Sequence, residues 1–84
     1  MEPELREQIE KAAGIAYERY CQRHPTIGQA LADSRDRIIS STVQSIEDDP
    51  DVASAMEAAQ TETGLQKIVE VAERHLPKLI GLFL

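Results

Sequence analysis

Apolar residues recur along this 84-residue chain every three to four positions, the spacing of one face of an α-helix. The strongest such stretch is residues 65–84, LQKIVEVAERHLPKLIGLFL. It holds ten of the chain's 22 Leu, Ile, Val, Phe and Met residues. Stepping 100° per residue from Leu65, eight side chains fall within about 60° of one direction. They are Leu65, Ile68, Val69, Ala72, Leu76, Leu79, Ile80 and Phe83. Glu70, Glu73, Arg74 and Lys78 fall outside this stripe, as do Val71, Leu82 and Leu84. The stripe keeps its phase across Pro77. A proline there removes one backbone donor and crowds the carbonyl of Glu73. It also disfavours a helical Leu76. The expectation is a kinked helix, or a helix to about His75 followed by a second, short one.

Three further segments read as helices. The first runs over 3–24, with Pro3 at the first helical position and acids in the first turn. Leu5, Ile9, Ala12, Ala13, Ala16 and Tyr20 make its stripe, and Pro25 ends it. The second runs over 26–48, opened by a capping-box pattern, Thr26-x-x-Gln29. Ile27, Leu31, Ile38, Thr42 and Ile46 share its inner face. The third runs over 50–60, capped by Asp49 before Pro50, with Val52, Ala55, Met56 and Ala59 inward. Thr63-x-x-Gln66 is a second possible capping box, although Gly64 can also lie within one long helix. No stretch alternates as a strand does. The expected fold is all-α: a small bundle of three to four helices over residues 1–84, with a kinked, strongly apolar C-terminal helix. Its expected core is Ile9, Leu31, Ile38, Leu65, Ile68, Val69, Ala72, Leu76 and Leu79.

Charge changes the picture in one respect. The net charge is −6, and residues 47–73 contain eight acids and one base, Lys67. Nucleic-acid binding needs a basic face, and anionic lipid attracts one too; neither is present. With only Tyr17, Tyr20 and Phe83 as aromatics, no base-stacking platform is visible. No apolar segment has the length of a membrane span. The first eleven residues carry no signal-peptide pattern, so a cytoplasmic location is expected. Cys21 is the single cysteine, which excludes a disulfide framework.

The chemistry on offer is sparse. Glu18, Cys21 and His24 stand at three-residue spacing, but three positions on one helix make a poor metal cage. Cys21 with His24 lacks an orienting partner for nucleophilic catalysis. The acids of residues 47–51 lack the central glycine of a calcium loop. The four glycines stand singly, so no phosphate loop forms. No cofactor, metal or small-molecule substrate is expected. Arg35 is the sharper oddity. It falls on the inner arc, about 40° from Leu31. An arginine there must reach the helix edge, meet a carboxylate from another helix, or bind a ligand or partner anion.

The expectation is a non-enzymatic module for protein–protein interaction, self-associating as a homodimer or docking on another protein. Its candidate residues are Leu79, Ile80, Leu82, Phe83, Leu84 and Arg35. The surface of Ala12, Ala13 and Ala16 is the next candidate for a contact between chains. In a competing arrangement the tail folds back, with Leu82 and Leu84 under the Pro25 turn or between helices two and three. The runner-up function is an acidic regulator presenting its negative face to a basic partner, or mimicking nucleic acid. An enzyme or metal-binding protein ranks third.

Overall fold

Twenty-one residues, Pro3–Arg23, form α1 in the computed structural model, which describes residues 3–56 and 62–84. After it come α2 (Pro25–Ala30), a 3-10 turn (Ala32–Ser34), α3 (Arg35–Ile46), α4 (Pro50–Met56) and α5 (Glu62–Phe83). The chain is all-α, with no strand among the described residues. Among these helices α1 and α5 pack most extensively on one another, and α3 and α4 also lie on α5. At about 1.5 Å rise per residue, the two long helices each span roughly 32 Å. That matches the 36 Å longest dimension of the molecule.

The α1–α5 contact is close because small residues make it. Ala12, Ala13 and Ala16 are fully buried, beside Ile9 and Tyr17. This corrects one expectation: the alanine surface is an inner face of the bundle, not an outer one. It also moves the end of the stripe, for Tyr17 is buried and Tyr20 only half-buried. From α5 come Ile68, Val69, Ala72, Leu76 and Ile80, all buried. Val71, off that stripe, is buried as well, since α4 packs on α5. Leu65 and Leu79 flank the stripe and are half-buried rather than buried. The remaining core comes from Leu31, from Ile38, Val43 and Ile46 of α3, and from Val52 and Ala55 of α4. Thr42 is buried among them, its hydroxyl donating to the Ile38 carbonyl at 2.7 Å. That bond removes the cost of an orphaned hydroxyl.

α5 does not end at Pro77. It runs through it as one helix, with Leu76 buried and Pro77 exposed. A proline inside a helix costs about 3 kcal/mol. Burying side chains such as Leu76 and Ile80 returns about 1.5–3 kcal/mol each. The proline faces outward, where the carbonyl it frees can be hydrated.

The second predicted helix divides in two. Its first part starts at Pro25 rather than after Thr26, and His24, at the cap, makes no side-chain capping bond. The capping box therefore does not form. The chain bends at residues 31–34 for tertiary reasons. Gly28 lies against Cys21, so near that a Cβ on residue 28 would sit 2.9 Å from the Cys21 Cβ. The Tyr17 hydroxyl donates to the Leu31 carbonyl at 3.4 Å, and the Ser34 amide donates to it at 2.8 Å. These contacts hold α2 down on the end of α1, and α3 then takes its own direction.

The next boundary is as expected. The Asp49 carboxylate accepts the Asp51 amide at 2.8 Å and caps α4. The expected end of that helix near residue 60 and the inward Ala59 lie outside the described residues. So do the side chains of Leu5, Met56 and Thr63. Gly64 is inside α5.

Candidate functional site

Two surfaces deserve comparison, one apolar and one polar, and both are fixed by the helices that carry them. The apolar one is the C-terminal turn of α5. Leu82 is 81% exposed and Leu84 70% exposed, the exposed large hydrophobic side chains of the described residues. Leu79 and Phe83 beside them are half-buried, Phe83 packing on the edge of the core. Ile80 faces inward and is buried, so it serves the core and leaves the outer face. The fold-back arrangement is overturned by the same exposures: neither Leu82 nor Leu84 is tucked beneath another helix.

Phe83 closes one end of a hollow of about 400 Å³ on the outer side of α3, with Asp36, Arg37, Ser40, Ser41 and Gln44. Asp36 and Ser40 also border a larger groove of about 490 Å³ between α1 and α3. Its apolar wall is Ile15, Ile39 and Val43, with Gly14 beside them. Its rim alternates in charge: Arg6, Lys11 and Arg35 against Glu10, Glu18 and Asp36. Arg35 sits here half-exposed. Its guanidinium lies 3.8 Å from Glu18 of α1 and 3.5 Å from Asp36. The arginine thus reaches the helix edge and meets a carboxylate from another helix, two of the expected routes at once. Pairs this exposed contribute little to stability.

Near Arg35, Tyr17 is buried in the core. Burial first, then a hydrogen bond with Cys21, push its phenol up to about 12 from the usual 10.0; the nearby Arg35 charge opposes this weakly. Cys21 is partly covered by Gly28, and the His24 ring stands 4.6 Å from the Tyr20 ring. Among the described residues no three His, Cys, Asp or Glu side chains converge as metal ligands.

The polar arrangement was not visible in the sequence. His75 of α5 lies between Ser45 of α3 and Asp49 of the α3–α4 corner. Ser45 Oγ is 3.1 Å from Nδ1, and Asp49 Oδ2 is 3.3 Å from Nε2. A neutral ring with the proton on Nε2 satisfies both bonds, donating to Asp49 and accepting from Ser45. Asp49 is held below the usual carboxylate range, mainly by the Asp51 amide and further by His75 and Arg74. Ser, His and Asp are the residue types of acyl-transfer triads. Here Ser45 lies inside α3, with its own amide engaged in the helix, whereas acyl transfer needs free amides aimed at the developing oxyanion. The trio links three elements, α3, the α3–α4 corner and α5. No sequence spacing announces it, because His75 comes from 26 residues beyond Asp49.

Four of the eight acids of residues 47–73, Glu47, Asp49, Asp51 and Glu73, meet partners within the chain. Glu47 lies 4.0 Å from Arg6, Asp51 lies 3.2 Å from Arg74, and Glu73 lies 3.1 Å from Arg23 and 3.8 Å from Arg19. No helix of the described residues is long and apolar enough to cross a membrane. No protein-family model matches the chain, and no curated protein or solved structure is significantly similar to it.

Proposed function

We propose that this chain is a small, non-enzymatic interaction module that self-associates through the C-terminal turn of α5, working in the cytoplasm. The observation that carries the reading is the exposure of Leu82 and Leu84, 81% and 70%, at the end of the most apolar helix. Two such leucines, on either flank of half-buried Leu79 and Phe83, give this turn exposed apolar surface of the kind that marks an interface. Leu79, Leu82, Phe83 and Leu84 are its contact residues, and Arg35 stands at the groove nearby. A two-fold pairing makes the same residues serve both chains. No cofactor or metal enters this function.

The competing reading, an acidic surface for a basic partner, has less to work with. Glu47, Asp49, Asp51 and Glu73 already meet partners within the chain. The two readings separate in one experiment, light scattering on a sizing column at low and high salt. Apolar association keeps the intact chain a dimer at both, and Leu82→Glu with Leu84→Glu makes it a folded monomer. An intact chain that is already monomeric at tens of micromolar contradicts the reading. Association that vanishes with salt favours the acidic mode.

A further inference from the structure

One of the described helices is held differently from the rest. α2 has six residues, far short of the roughly 12–15 that an isolated helix needs to persist in water. No side chain caps its start, its first turn carries no acid and its last turn no base. None of its residues is fully buried: Ile27 and Gly28 are half-buried, and Pro25, Thr26, Gln29 and Ala30 are exposed. It packs on α1 and on the 3-10 turn that follows it, and no more than marginally on α3, α4 or α5. α4 shows the contrast. It is capped by Asp49, tied through Asp51 to Arg74, and buries Val52 and Ala55. Both ends of α2 are breaks in the helical path. His24 before it has φ −132° and ψ 71°, and the 3-10 turn follows Leu31. We propose that α2 is a lid on α1. It lifts as a unit and loses its helix while the bundle stays folded, and so uncovers the Cys21 thiol.

Leu31 marks the limit of the lid. Its side chain is buried, and its carbonyl accepts the Tyr17 hydroxyl and the Ser34 amide, so it stays with the bundle. Lifting residues 25–30 therefore exposes none of the fully buried core. What is given up is small. Ile27 leaves the edge of the core, and Gly28 leaves Cys21. The Gly28 amide loses the His24 carbonyl at 2.9 Å, and the Leu31 amide loses the Ile27 carbonyl at 3.0 Å. Stability against opening follows the apolar surface that opening exposes, so this segment opens at lower free energy than the whole chain unfolds. Gly28 sets the closed position. A Cβ there would stand 2.9 Å from the Cys21 Cβ and 3.2 Å from its Sγ. The lid thus closes over Cys21 only because residue 28 has no side chain.

Two readouts test the lid. Hydrogen exchange compares the Gly28 and Leu31 amides with those of Ile68 and Val69 in α5, in the intact chain and in Leu76→Ala. The inference predicts at least about tenfold less protection at Gly28 and Leu31 than in α5. Leu76→Ala should lower protection in α5 by about 30-fold or more, and change the two lid amides by less than about twofold. Should Leu76→Ala fail to fold, low urea on the intact chain is read in the same way, since it speeds openings in proportion to the surface they expose. The second readout is the rate at which Cys21, the single cysteine, reacts with the aromatic disulfide DTNB. Gly28→Ala pries the lid up and should speed that reaction at least about fivefold. Gly14→Ala, in open space, should leave it unchanged. Lid amides that lose protection in step with α5, or a Cys21 that reacts no faster in Gly28→Ala, overturn the lid.

Discussion

Leu76 is the side chain on which the proline-bearing helix depends. It is fully buried directly before Pro77, in a position the proline disfavours for a helix. Leu76→Ala should cost about 2–5 kcal/mol, a large part of what holds a domain of this size together. A denaturant midpoint that does not move would place Leu76 outside the core. Tyr17 makes a second residue-scale prediction. Its phenol is raised from 10.0 to about 12, so the fold favours the neutral form. The stability this gives is complete below pH 10 and is lost as pH rises from there towards 12. Tyrosinate absorbance should show a late step near pH 12 that Tyr17→Phe removes; loss of an ordinary step near 10 instead would contradict its burial. Most of the core was legible at this scale, because Ile9, Ile38, Ile68, Val69, Ala72 and Leu76 keep helical phase. Tyr17, Val43 and Val71 were not. Each lies beside a stripe, and what buries it is a neighbouring helix whose position no local pattern encodes.

Individual helices show where local signals yield to packing. The Asp49-Pro50 cap was readable because a short carboxylate before a proline satisfies the free amides of a helix start. The capping box at Thr26 was readable too, yet did not form. The helix starts one residue earlier, at Pro25, and its direction is set by the α1 surface it lies on. Two glycines separate these influences. Gly14 and Gly28 each give up helix propensity, roughly 1 kcal/mol relative to alanine. Gly14→Ala meets open space, and should recover that stability. Gly28→Ala places a Cβ 2.9 Å from the Cys21 Cβ and 3.4 Å from its Cα. The α1 backbone cannot give way, so α2 must lift, and overpacking of this kind costs about 1–3 kcal/mol. Thermal unfolding of the two variants should shift in opposite directions. Equal upward shifts would mean that α2 is not pressed against α1.

For the molecule as a whole, the exposed tail was legible as a stripe that ends before the chain does. Leu82 and Leu84 fall off the helical face that Leu76 and Ile80 keep, and both stand in solvent. The groove was not legible, because α1 and α3 are brought together only by the fold, and neither Ile15 nor Ile39 stood out on its own helix. The same is true of the Ser45–His75–Asp49 link. The central claim is that this apolar end joins two copies, and the most direct measurement is the mass of the intact chain by sedimentation equilibrium over a concentration series. The account predicts a rise from the chain mass of 9.3 kDa to twice that value by concentrations on the order of tens of micromolar, little altered by salt. A mass that stays at 9.3 kDa throughout would contradict it.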